Sequence, residues 1–207
     1  MALEIERRFL VRGNQWRSRV RWSEQLAQGY LVSREDGFTL RVRLADQDRA
    51  WLTLKAAVPS GAVSSGAMSS EAPLSEAALS EAALSEAVRT PSEDAATVPL
   101  IRQEFEYTIP RADGEALLAQ APNQLIKRRY GLDLPGGDWV LDVFEGANAP
   151  LMVAEVELPD ATAAVVVPPW CGTEISGRHD LSNAALARHP LASWPTAERA
   201  ALLGCLD

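Results

Sequence analysis

Cysteine and histidine are nearly missing from this chain: Cys171, Cys205, His179 and His189 are the only ones in 207 residues. There is no CxxC pair and no cysteine–histidine group at ligand spacing. That argues against a zinc site and against a secreted disulfide framework. Long apolar runs are missing as well. Nothing approaches the roughly 18 residues that a membrane-spanning helix needs, and the start, Met1-Ala2-Leu3-Glu4, lacks the apolar stretch of a secretory leader. Basic charge is in deficit, with 20 Lys and Arg against 28 Asp and Glu, a net charge of −8. Such a balance disfavours a nucleic-acid coat or a membrane-surface protein. Neither GxxxxGK[ST] nor GxGxxG appears, so a nucleotide-binding α/β fold does not compete. A cytoplasmic protein without nucleic-acid or membrane partners is the expectation.

What remains is enough to fold. Hydrophobic residues make up 47% and charged residues 23%, which suits one domain with a buried core. The composition shifts after Lys55. Residues 56–100 hold 12 alanines and nine serines but no aromatic residue, and a five-residue repeat begins at Leu74, Leu79 and Leu84. At roughly 100° per helical residue, successive leucines would lie about 140° apart, so no apolar stripe forms. The segment reads as a low-complexity insertion in a single domain spanning 1–207.

Eight stretches outside it alternate or are rich in β-formers: 3–11, 28–33, 38–44, 50–55, 102–109, 125–130, 139–144 and 151–158. Helices are expected at 113–121, with Asp113 as N-cap, and in the tail at 161–166, 182–188 and 196–203. Antiparallel-looking strands with few helices between them predict a mainly β (α+β) fold. Its form would be a closed eight-stranded antiparallel β-barrel tunnel with peripheral and C-terminal helices.

Charges on these strands recur two residues apart, which places them on one face. The set is Glu4, Glu6 and Arg8; Arg41 and Arg43; Lys55; Arg102, Glu104 and Glu106; Lys127 and Arg129; Asp142; and Glu155 and Glu157. Apolar residues such as Ile5, Val42, Leu54, Phe105, Val143 and Val156 alternate with them. An ordinary half-solvated sheet would place the charges in water. The same face repeating Glu and Arg on strand after strand instead suggests charged faces converging inside a barrel, with helices covering the apolar outside. Carboxylates without His or Cys select hard cations, Mg²⁺ or Mn²⁺. Arg and Lys at strand spacing suit phosphate oxygens. A metal-bound polyphosphate meets both demands.

Those residues carry a resemblance. Glu4-Ile5-Glu6-Arg7-Arg8 is similar to the ExExK signature of the CYTH proteins, the triphosphate tunnel metalloenzymes. Gln28-Gly29-Tyr30, Arg41-Val42-Arg43, Leu52-Thr53-Leu54-Lys55, Arg102-Gln103-Glu104-Phe105-Glu106, Lys127-Arg128-Arg129-Tyr130, Leu141-Asp142-Val143-Phe144 and Ala154-Glu155-Val156-Glu157 follow in the family's order. The resemblance implies an eight-stranded tunnel. In it Glu4, Glu6, Glu104, Glu106, Asp142, Glu155 and Glu157 would bind Mg²⁺ or Mn²⁺. Arg8, Arg41, Arg43, Lys55, Arg102 and Arg129 would hold a small triphosphate, and Lys127 and Tyr30 would activate the attacking water. It implies hydrolysis of inorganic triphosphate to pyrophosphate and phosphate. The alternatives are a class IV-type adenylyl cyclase, a thiamine triphosphatase or a catalytically weak polyphosphate-binding module, and a homodimer is compatible with any of them. Two positions depart from the family pattern: Arg8 stands for its Lys, and Leu181 stands for a Tyr in the run Arg178–Asn183.

Overall fold

The computed structural model describes residues 3–46, 48–58 and 100–204. The proposed insertion falls almost wholly outside the described residues. Among the described residues nine strands form: β1 (Leu3–Val11), β2 (Val20–Ser33), β3 (Thr39–Ala45), β4 (Arg49–Ala57), β5 (Leu100–Ile109), β6 (Asn123–Leu132), β7 (Asp138–Phe144), β8 (Met152–Glu157) and β9 (Cys171–Glu174). The ladder runs β5-β4-β3-β2-β6-β7-β8-β1, antiparallel throughout. β1 then pairs back onto β5 through Glu4↔Arg102, which closes an eight-stranded barrel. Short β9 joins β1 further along, at Phe9↔Glu174. It was not foreseen, and β2 begins at Val20 instead of residue 28: the polar run Ser23-Glu24-Gln25 interrupts the apolar alternation of its largely exposed first half, which nevertheless pairs with β6 from Val20↔Leu132 onward.

The pleat sorts residues cleanly. Outward-facing Phe9, Val11, Leu141, Ala154 and Val156 pack with Trp16, Trp139, Leu158 and Trp170. Most of this outer layer is covered by extended chain, with Ala163 and Val165 against it, not by the helix expected at 161–166. The β-branched run Val165-Val166-Val167 before Pro168 disfavours helix there. Helix α1 (Arg111–Gln120) covers another part of the outside. Gly114 permits its approach, since a Cβ there would come within 2.7 Å of Leu44 and Ala50. On β2, a Cβ on Gly29 would meet Ala121 and Leu118 at 2.6 and 2.8 Å. Gly29 therefore faces out, and Gln28 and Tyr30 face in. Asp113 sits in the first turn of α1, while Pro110 takes the N-cap position.

A second apolar cluster seals one end of the barrel. Inward-facing Leu10, Tyr30, Leu125, Phe144 and Val153 meet Leu181, helix α2 (Asn183–Arg188) through Leu186, Leu191, and helix α3 (Thr196–Gly204) through Leu202. Each such buried side chain contributes roughly 1.5–3 kcal/mol, so the tail is a fixed wall of the interior. Among the described residues, no helix is long and apolar enough to cross a membrane.

Candidate active site

The barrel encloses a cavity of about 800 Å³. Its wall carries Glu4, Glu6, Glu104, Glu106, Glu155 and Glu157 together with Arg8, Arg41, Arg43, Lys55, Arg102 and Arg129. Every one of these projects from an inward position of β1, β3, β4, β5, β6 or β8, as the two-residue spacing demands. Among the described residues, Tyr30 is the sole Phe, Tyr or Trp on that wall. Two members of the sequence-derived set do not reach it: Lys127 and Asp142 lie fully buried behind it.

Opposite charges interleave. Lys55 donates to Glu4 at 2.6 and 2.8 Å and lies 3.3 Å from Glu104. Arg102 bridges Glu4 and Glu6, at 3.2 and 3.0 Å. Arg43 donates twice to Glu106 at 2.9 Å, and Arg41 donates to Thr53, whose hydroxyl donates to Glu106 at 2.8 Å. Arg129 spans Asp142 and Glu155. Lys127 Nζ donates to Asp142 and reaches Asn183 at 3.4 Å. Thr53, Gln28 and Asn183 sit among these groups yet carry no charge, so charge spacing alone did not single them out. Their signal is position: Thr53 shares the face of Lys55, and Gln28 that of Tyr30.

Crowding perturbs the ionisable groups. Burial, then the neighbouring Glu155 and Glu4 carboxylates, push Glu6 up to about 7. Burial would raise Glu4 too, but Lys55 and Arg102 prevail and bring it to about 2. Glu155 is likewise buried, and Arg129, Lys127 and Arg8 hold it well below the usual carboxylate range. Burial, reinforced by Arg129, lowers Lys127 to about 8 despite Asp142. Burial raises the Tyr30 hydroxyl, against the pull of Arg41.

The donor set is oxygen-only, which fits a hard divalent cation. The like-charge contact that raises Glu6 fits one as well, since a cation beside Glu4, Glu6 and Glu155 would relieve it. Among the described residues, no three Asp, Glu, His or Cys side chains stand together in a ready-made metal cluster. A cation entering here competes with Lys55 and Arg102 for their carboxylates.

A closed antiparallel barrel with an inward wall of alternating guanidinium, ammonium and carboxylate groups defines a charged-tunnel protein. The CYTH domain model matches residues 2–185, and the chain belongs to that family. It is similar to an inorganic triphosphatase of Acetivibrio thermocellus, 28% identical over 192 residues, covering 92% of this chain and 96% of that protein. An inorganic triphosphatase of Nitrosomonas europaea is 40% identical over 92 residues, 42% of this chain and 61% of that protein. The crystal structure of the inorganic triphosphatase NE1496 superposes with a TM-score of 0.53 at 28% identity, covering 94% of this chain and 98% of that one.

Proposed function

We propose that the chain hydrolyses inorganic triphosphate to pyrophosphate and phosphate with Mg²⁺ or Mn²⁺. The observation that carries this reading is the set of six carboxylates and six bases that the barrel strands project around about 800 Å³, with Tyr30 and the imidazole of His179 the only rings on the wall among the described residues. Six bases suit several phosphoryl groups in a row, and six carboxylates are too many for an anion to tolerate without a cation. A nucleoside would need stacking surface that this wall does not offer. The relatives named inorganic triphosphatase support the same substrate.

Arg41, Arg43, Lys55, Arg102 and Arg129 would bind the phosphoryl oxygens, each exchanging a Glu partner for the substrate. Glu4, Glu6 and Glu155 would hold the divalent ion, with Glu104, Glu106 and Glu157 within the same wall. The ion would neutralise charge on the phosphoryl oxygens when bound. Water attacks the terminal phosphorus and pyrophosphate leaves. Lys127 is closer to neutrality than an ordinary lysine, and from behind the wall it would receive the water's proton at Nζ beside Asn183, which lines the cavity and lies 3.4 Å from Nζ. Tyr30 is pushed the other way and stays protonated, so it serves as a hydrogen-bond donor, not as a base. Asp142 holds Lys127 and Arg129 in place.

Phosphate and pyrophosphate release from inorganic triphosphate, ATP and thiamine triphosphate tests this. Inorganic triphosphate should be turned over fastest, chelation should abolish turnover, and Mg²⁺ or Mn²⁺ should restore it. Faster formation of cyclic AMP from ATP would overturn the reading.

A further inference from the structure

Trp51 and Arg43 are register partners on β4 and β3, so their side chains leave the sheet on the same face. Arg43 lines the cavity, while Trp51 stands beside it, half-buried and off the wall. The guanidinium carbon of Arg43 lies 5.0 Å from the centre of the indole ring, within cation–π range. A second guanidinium, that of Arg49, lies 5.2 Å from the same ring and is tied to Glu24 on β2. Arg49 precedes Trp51 by two residues on β4 and shares its face. A chain of contacts, Glu24 to Arg49 to Trp51 to Arg43, thus runs from the start of β4 to the cavity.

Arg43 is crowded by groups of its own sign. Burial first, then the charge of Arg41, brings its guanidinium down to about 10, and Arg129 adds to the repulsion. Glu106 offsets this by accepting two hydrogen bonds of 2.9 Å from Arg43. Triphosphate would take the place of that carboxylate, and Arg43 would then lose the partner that fixes its direction. A second carboxylate in support would repel the phosphoryl groups. The face of an indole attracts a cation through its quadrupole and carries no net charge, so it supports Arg43 without opposing the anion.

We propose that Trp51 is a positioning residue whose indole keeps the Arg43 guanidinium aimed into the cavity while Glu106 gives way to a phosphoryl group. The assignment rests on the triphosphate reading above and concerns a residue that itself touches no substrate. A tryptophan that only filled space would affect stability, and its effect would not depend on the residue at position 43.

The experiment compares wild type, Trp51→Leu, Trp51→Phe, Arg43→Met and the double variant carrying Trp51→Leu and Arg43→Met. Each is followed by thermal unfolding and by KM and kcat for inorganic triphosphate and for ATP, with Mg²⁺. Trp51→Leu should raise KM for inorganic triphosphate by about fivefold to thirtyfold, the worth of a partly to fully desolvated cation–π contact. Trp51→Phe keeps a ring and should stay within about threefold of wild type. In the Arg43→Met background, Trp51→Leu should leave KM unchanged, the non-additivity expected when one residue acts through the other. Should the leucine variant not fold, Trp51→Met replaces it with the same expectations. Equal effects on KM in the two backgrounds would overturn the assignment, as would lowered stability with unchanged KM. A rise in KM confined to ATP would overturn it too, because the ring would then meet a base directly. Absence of triphosphate turnover by the wild type would overturn the triphosphate reading itself, and the assignment with it.

Discussion

Arg8 Nη2 donates to the backbone carbonyl of Leu181 at 3.0 Å, while its Nε reaches Glu155 at 3.2 Å. The two positions that depart from the family pattern thus touch. Arg8 is long enough to cross from the tunnel wall to the tail that closes the barrel, and Leu181 packs its side chain into the sealing cluster. Arg8 and Leu181 are both buried, so this hydrogen bond is shielded from water.

Arg8→Ala should therefore destabilise as well as weaken substrate binding. It leaves a buried carbonyl unpaired and Glu155 short of one counter-ion, a cost of about 1.5–3 kcal/mol. Urea unfolding of the variant measures it. Arg8→Lys keeps the charge near Glu155 but gives up the reach to Leu181. Turnover equal to or above wild type is expected, with a loss of about 1 kcal/mol in stability. A fully wild-type stability for Arg8→Ala would mean that the tail does not depend on this contact.

Lys127 supplies a prediction in pH. Its ammonium, lowered to about 8 by burial and Arg129, is mostly charged below that pH and mostly neutral above it. A base must be neutral to accept a proton, so kcat should rise as pH increases through about 8 and level off above. Lys127→Met should lose this limb and lower kcat by about 10²–10⁴, the usual range for a general base, with a small change in KM. Arg129 keeps both of its bonds to Asp142 in that variant, so the fold should hold. A pH limb that survives in Lys127→Met would assign the proton to another group.

The barrel was legible because its cause is local. Charged and apolar residues alternate on β1, β3, β4 and β5, and a pleated strand turns that alternation into an inside and an outside. The tail was less so. Residues 161–166 look helical by alanine content, but three valines and a proline decide otherwise. Within the site, which carboxylate meets which base was beyond reach. Arg43 on β3 pairs with Glu106 on β5 across β4, 63 residues away, and Arg102 pairs with Glu6, 96 away, through a closure of β1 on β5 that no local pattern encodes. Nor does two-residue spacing tell a wall residue such as Glu155 from one sealed behind it such as Asp142. Depth depends on the strand stagger and on where the tail packs.

Glu6 gives a prediction for the metal-free protein. Burial and the Glu155 and Glu4 carboxylates raise its carboxyl to about 7 in the folded state, from an ordinary 4.5. Between those values the folded chain holds a proton that the unfolded chain has released. The stability it contributes is complete below the lower value and lost as pH rises through the upper one. In the presence of chelator, wild type should thus lose stability across this window, and Glu6→Gln, which cannot ionise, should lose less. Denaturation midpoints at matched pH values read the difference. Parallel curves for the two proteins would show that Glu6 ionises normally.

The last prediction concerns 59–99. Ala57 on β4 and Arg102 on β5 are register partners, so the strands that flank the segment are already side by side as in a hairpin. Nothing in that ladder requires a long connection, because antiparallel neighbours can be joined by a few residues. We propose that the segment is an insertion in a hairpin loop and that a short Gly/Ser turn can replace it. Closing a loop costs about 0.6 kcal/mol more per doubling of its length, so shortening this one should raise stability by roughly 1–2 kcal/mol. Turnover should stay near wild type, since the charged wall residues nearest the junction, Lys55 and Arg102, are held by Glu4 and Glu6 of β1. The measurement is a paired one, denaturation midpoint and kcat/KM for inorganic triphosphate. Loss of folding would show that the segment packs on the barrel. Intact folding with lost turnover would place part of it in the site.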